Sequence, residues 1–214
     1  MFKQTVRSTF QALSADPAIL ERSLPTIVSF LHSQGREGSQ GTGNKPTDQE
    51  ASFAAAVAAR GFTFLPKGAE PPADGFYYLY QLQGSQKEGD FGLREYEGGV
   101  IKQEIVVDLK HTLSKTFYLN DGWFHKDIVY IVSWNAGTPK KPALRTHIAL
   151  GQDIPSAEEQ AFMEQLQAFK NEKNSGTTKV GSLKPYIRFA NKYTCERFTS
   201  ETAAAHLTAT LTWI

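Results

Sequence analysis

Residues 90–110 read DFGLREYEGGVIKQEIVVDLK, and the fold turns on how they pair. Two β-favouring segments, Asp90–Glu97 and Val100–Lys110, flank Gly98-Gly99. Paired glycines supply the positive φ that a tight hairpin turn needs. Side chains alternate between the faces of a strand. Ile105, Val107 and Leu109 therefore face a core, and Val106, Asp108 and Lys110 face the other way. An acid and an amine end up side by side at the end of an apolar strand.

A second acid, Asp90, opens the preceding strand. With a two-residue loop, Asp90 opposes Val107 and points to the wrong face. With a three-residue loop, Gly98 to Val100, Glu97 pairs with Ile101 and Asp90 falls opposite Asp108. The two acids share a site only through an odd loop, a bulge, or a position of Asp90 just outside the ladder. Opposite Cβ atoms lie roughly 4.5–5.5 Å apart. Two carboxylates that close repel by about 4 kcal/mol at an effective dielectric near 20. A cation between them relieves this, and oxygen ligands suit Mg²⁺.

Working outward, Thr47-x-x-Glu50 is a capping box that opens a helix over Ala51–Arg60, stopped by Gly61. A short strand, Phe62–Leu65, and a longer one, Phe76–Leu82, follow. Downstream, Asp127–Trp134 is nearly all apolar, as in a strand buried on both faces. Ser156-x-x-Glu159 is a second capping box, before a helix with Phe162, Met163, Leu166 and Phe169 on one face. Leu207, Ala209, Leu211 and Trp213 alternate with threonines, which predicts a last half-buried strand. Upstream, Phe2, Val6, Phe10 and Leu13 mark one helical face, and Pro25 interrupts a second helical pattern. The expected class is α/β with α+β character: a central mixed sheet flanked by helices. Residues 1–33 form a helical element with a candidate role in dimerisation, 34–46 a Gly- and Ser-rich loop, and 47–214 the main body.

The chain has 214 residues and a formal net charge of +1. That balance excludes binding by bulk charge and leaves room for a local basic patch. The lone Cys195 excludes an intrachain disulfide and fits a reducing cytoplasm. No apolar run reaches the roughly 18–20 residues of a membrane span. His111, His125, His147 and His206 lack paired helical spacing, so zinc is not expected. Asn120-Asp121-Gly122 reads as a turn. From Lys179 to Phe198 five basic residues face one acid, with Lys184, Arg188 and Lys192 on one face if helical. Tyr186, Phe189, Tyr193 and Phe198 interleave with them.

Asp90, the hairpin and Val106-Val107-Asp108-Leu109-Lys110 together resemble the PD-(D/E)xK nuclease superfamily, most of all the type II restriction endonucleases. Gly89-Asp90 stands where Pro-Asp is usual, and Asp108 where Glu is more frequent. The resemblance covers roughly 47–134 and implies a restriction-endonuclease-like core. It implies Asp90 and Asp108 as Mg²⁺ ligands with the Leu109 carbonyl, Lys110 as the catalytic lysine, and Glu50 as an accessory acid. The expected activity is Mg²⁺-dependent hydrolysis of both strands of a specific double-stranded DNA sequence. A structure-specific or repair nuclease, and a non-catalytic DNA-binding module, are the alternatives. Thr112, Ser114, Lys115, Lys140, Lys141, Arg145, Lys184, Arg188 and Lys192 are the expected DNA contacts. The resemblance also implies a homodimer, a partner DNA methyltransferase and a prokaryotic cytoplasm.

Overall fold

The computed structural model describes residues 1–34, 47–81, 89–120, 123–138, 140–141, 143–175 and 190–214. The expected loop at 34–46, apart from Gln34, lies outside them, as do Lys179, Lys184, Tyr186, Arg188 and Phe189.

A mixed six-stranded sheet forms the centre. Its strands are β1 (Thr63–Phe64), β2 (Gly75–Tyr80), β3 (Phe91–Glu97), β4 (Val100–Thr112), β6 (Ile128–Asn135) and β7 (Leu144–Leu150), side by side in that order. β1 runs parallel to β2 and β4 parallel to β6; the other neighbours are antiparallel. A two-stranded ribbon, β5 (Thr116–Asn120) with β8 (Ala190–Thr194), stands apart from that sheet. Five α-helices complete the described chain: α1 (Phe2–Ala15), α2 (Pro25–Gln34), α3 (Asp48–Ala58), α4 (Ala157–Asn174) and α5 (Ser200–Trp213).

Each face of the sheet has its own core. On one, Phe2, Val6, Phe10 and Leu13 of α1 and Phe53 and Val57 of α3 pack on Phe91, Val107, Leu109, Val129 and Ile131. The helical segment 1–33 is thus part of the same core as the sheet. On the other face, Phe117 and Leu119 of β5 and Tyr193 of β8 pack with Phe124 on Tyr130, Val132 and Trp134. β6 is buried almost throughout, as its apolar sequence requires. Both capping boxes form, at Thr47/Glu50 and Ser156/Glu159.

Three expectations need correction. The stretch at 207–213 is helix α5, capped by Thr199. Leu207 and Leu211 are four residues apart and meet the core together, while Trp213 stays 40% exposed. Lys192 lies on strand β8, so it shares no helical face with Lys184 and Arg188. On α4 only Met163 of the predicted apolar face is buried; Phe162 and Phe169 are 57% and 46% exposed.

α5 covers the free edge of β7, where the Leu150 N–H donates to Thr210 Oγ1 at 2.9 Å. Beside it, His147 stacks on Phe198 with ring centroids 3.8 Å apart, and its Nε2 lies 2.9 Å from His206 Nδ1. Burial, then His206, push the His147 imidazole down to about 3. Folded His147 is therefore neutral at mild acid pH, whereas in the unfolded chain it takes up a proton near pH 6.5. Its contribution to stability is present above pH 6.5 and is lost as pH falls toward 3. Melting temperature should drop over that window, and His147→Leu should flatten the drop; an equal slope in both proteins would refute this assignment.

Candidate active site

The site forms where β3 stops and β4 carries on. β3 pairs with β4 from Glu97↔Val100 to Phe91↔Val107, and the Asp90 N–H then donates to the Val107 carbonyl at 2.9 Å. Past that point β4 continues along β6, from Asp108↔Tyr130 to Thr112↔Trp134.

A bulge sets the register. Gly98 and Gly99, with φ of +60° and +74°, make a two-residue loop. On its own that loop would aim Asp90 at the wrong face. But Tyr96 pairs with Ile101 and Glu95 with Gln103, so Lys102 is the extra residue of a bulge. The pairing shifts by one, so the ladder ends at Phe91↔Val107 and leaves Asp90 beside Asp108, with its N–H on the Val107 carbonyl and its carboxylate on the Leu109 N–H.

Gly89 makes the approach possible. Its φ is +78°, and a Cβ there would lie 2.3 Å from Val106 Cγ1. Proline, locked near φ −65°, has no access to this conformation. The glycine at this position therefore has a conformational cause.

Asp90 Oδ2 accepts the Leu109 N–H at 2.7 Å, satisfying a strand donor that β3 no longer reaches. A strand residue directs its N–H and C=O to the same edge, so the Leu109 carbonyl also points to Asp90's side. Lys110 Nζ donates to Asp108 Oδ1 at 2.6 Å, with side-chain exposures of 25% and 15%. Burial, and then the Asp108 carboxylate, hold the Asp90 carboxyl well above the usual range, and Glu50 adds to the rise. Lys110 and the Leu109 N–H oppose it without cancelling it. For Lys110, burial acts to lower the pKa, but Asp108, Asp90 and Glu50 outweigh it, so the ammonium keeps its proton.

Glu50 sits at the start of α3, on the other side of β2's end. One of its oxygens accepts the Thr47 N–H and the other the Tyr80 hydroxyl, at 3.0 Å. It is thus a helix cap and a tyrosine anchor whose charge reaches Asp90 and Lys110. Tyr80 and Tyr130 flank the acids, and both phenols are pushed up by burial first, then by nearby carboxylates. The sequence reading missed both tyrosines; their only signal was an aromatic at the end of one strand and within the next.

The expected DNA contacts fall in two groups. Thr112 ends β4 and Ser114 and Lys115 lie in the turn after it, while Lys140 and Lys141 lie in the β6–β7 connection and Arg145 at the start of β7. Thr112, Trp134 and Arg145 share one row across β4, β6 and β7, so both groups lie at the end of the sheet where β4 finishes, two residues beyond Lys110. Lys192 is on the ribbon's outer face, and Lys184 and Arg188 lie outside the described residues.

As a cation site, the set is two carboxylates and a backbone carbonyl directed to one edge, all hard oxygen donors that suit Mg²⁺. Among the described residues no group of three or more His, Cys, Asp or Glu side chains could hold a metal ion. Any ion here would rest on the two acids, the carbonyl and water. No protein-family model, no curated protein and no solved structure matches this chain.

Proposed function

We propose that the protein is a Mg²⁺-dependent nuclease with a restriction-endonuclease-like core. More narrowly, it is a type II restriction endonuclease that hydrolyses both strands of a specific double-stranded DNA sequence. One observation carries this reading: a strand bulge and a positive-φ glycine bring Asp90 to the strand end that carries Asp108 and Lys110, where its carboxyl takes the Leu109 N–H and feels both charges. A register error of one residue would separate them, so three residue types that suit phosphodiester chemistry share a corner that is not forced on the chain by packing alone.

When bound, Mg²⁺ would supply a Lewis acid for a phosphate oxygen and lower the pKa of a water. The protein's own groups do the rest. The Leu109 N–H holds Asp90 in place. Lys110 remains an ammonium, positioned by Asp108, and offsets charge that builds on the phosphate. Thr112, Ser114, Lys115, Lys140, Lys141 and Arg145 carry donors and cations along the duplex backbone at the same sheet end. Cutting both strands of a two-fold site fits a homodimer, and a cognate methyltransferase belongs to the same reading. Among the described residues no helix is long and apolar enough to cross a membrane.

The test is digestion of a sequenced genome with Mg²⁺, followed by sequencing of the fragment ends. A common motif at the ends is the expected result, abolished by Asp108→Ala and by Lys110→Ala. Cutting of branched substrates alone would point instead to a structure-specific nuclease. No cutting at all, or cutting that survives both substitutions, would sink the site.

Metal should also register in stability. The raised Asp90 favours the metal-free fold at low pH, and that contribution is lost as pH rises through the folded-state value. A cation competes with the proton at Asp90. Mg²⁺ or Ca²⁺ should therefore raise the melting temperature more at pH 8 than at pH 5. A metal effect independent of pH, or its persistence in Asp90→Asn, contradicts Asp90 as a ligand.

A further inference from the structure

The ribbon of β5 and β8 is joined to the catalytic strand by the turn Leu113–Lys115, which starts three residues after Lys110. Its two faces differ sharply. Phe117, Leu119 and Tyr193 point inward and are buried against Phe124 and Phe198. The Tyr193 hydroxyl donates to the Ile154 carbonyl at 3.2 Å, so the inner face is locked to the body. Outward, Thr116 lies opposite Thr194 and Tyr118 opposite Lys192. Tyr118 is 56% exposed. These four side chains offer hydroxyls, an aromatic ring and one cation, and no carboxylate.

The turn that leads into the ribbon is fixed as firmly. Ser114 Oγ lies 2.9 Å from Thr112 Oγ1 and donates to the Thr116 carbonyl at 2.9 Å. The Lys115 carbonyl accepts the Cys195 N–H at 2.8 Å, which ties the turn to the end of β8. This scaffold holds Leu113 out from the body, 82% exposed. A leucine held in water by a hydrogen-bonded turn stabilises nothing within the protomer.

We propose that this ribbon, with Leu113 in its connecting turn, reads the major groove of the duplex whose phosphate the Asp90–Lys110 site engages. This inference rests on the nuclease reading above. Its occupant is set by size, charge and position. Two paired strands lie about 4.8 Å apart, and the major groove, about 12 Å wide, admits a two-stranded ribbon. The outer face has a cation and no acid, and the sequence of 176–189, which runs into β8, has Lys179, Lys184 and Arg188 and no carboxylate. Six residues separate Lys110 from Thr116, a reach of at most about 20 Å. A phosphate at the acids thus leaves the adjacent groove within range of the ribbon. Leu113 offers an apolar contact for a thymine methyl, and Thr116, Thr194, Tyr118 and Lys192 offer hydrogen bonds to base edges.

The experiment uses the full chain, Ca²⁺ in place of Mg²⁺, and a duplex library with a randomised core. Bound duplexes are sequenced, and the Kd of the selected duplex and of an unrelated duplex is measured by anisotropy. Leu113→Ser, Tyr118→Ser and Lys192→Gln change exposed side chains and should leave the melting temperature unchanged. Wild type should enrich one motif. Each variant should lose preference at one or two base pairs and bind the selected duplex about 10- to 100-fold more weakly, while binding of the unrelated duplex changes by less than about threefold. Lys102→Gln, at the far end of β4, should leave the motif intact. The proposal is overturned if the three variants select the wild-type motif with wild-type affinity, or if Lys102→Gln weakens it equally. A wild type that enriches a motif but never cuts DNA with Mg²⁺ defeats the nuclease reading and keeps the ribbon as reader. A wild type that cuts, with variants of unaltered preference, defeats the ribbon and keeps the nuclease.

Discussion

Asp90→Asn should make the protein more stable and inactive. In the metal-free fold burial, and then the repulsion of Asp108 with Glu50 adding to it, keep the Asp90 carboxyl protonated well up the pH scale. Asparagine keeps an oxygen for the Leu109 N–H, which Asp90 accepts at 2.7 Å, and removes the charge. At pH 8 without metal, stability should rise on the order of 1 kcal/mol, or about 2–4 °C in melting temperature. DNA cleavage with Mg²⁺ should fall by roughly 10³-fold or more, because an amide oxygen is a weak ligand and compensates no metal charge. Structural acids do not behave this way: removing a carboxylate that only holds the fold together lowers stability. A less stable Asp90→Asn that still cuts DNA would remove Asp90 from the site.

Gly89→Ala should produce a large loss of stability from a single methyl group. The added Cβ would sit 2.3 Å from Val106 Cγ1 and 3.2 Å from the Val107 carbonyl oxygen, at a φ of +78°. The clash costs about 1–3 kcal/mol and the left-handed backbone about 1 kcal/mol more. The sum, about 2–4 kcal/mol, is readable by urea denaturation. Activity should fall as well at temperatures where the variant is folded. Asp90 follows Gly89 directly, and a displacement near 1 Å costs about 10²-fold. Adding Val106→Ala removes the nearest clashing atom. The double variant should therefore be more stable than the sum of the two single changes predicts, by about 1–3 kcal/mol. Strict additivity would place the strain elsewhere.

Much of the site could be read from the chain because its signals were local. The capping boxes at Thr47 and Ser156 and the double glycine each act within a few residues. Asp108 and Lys110 fell on one face by strand alternation alone. The position of Asp90 could not be settled that way. It depends on a bulge at Lys102, and a bulge depends on how two strands fit rather than on any residue's preference. β5 and β8 escaped notice for a related reason. Each is five residues long, and they pair across more than seventy residues of sequence, so neither carries a complete pattern by itself. The 207–213 segment misled because its apolar residues satisfy two periods at once. Alanines at 203–205 and the Thr199 cap favour the helix, and the Leu207–Leu211 spacing lets that helix meet the core. α4 has helical periodicity but little to pack on, since period alone says nothing about what lies opposite.

The bulge at Lys102 also constrains how this gene can drift. A slip of one residue between the paired strands turns Asp90 to the other face of the sheet, away from Asp108. Loss of Lys102 itself is no such slip: it removes the bulge and leaves Asp90 level with Asp108 across the same two-residue turn. Descendants of this sequence should therefore absorb changes of length at the turn or the bulge, while keeping the pairing that sets Asp90 beside Asp108.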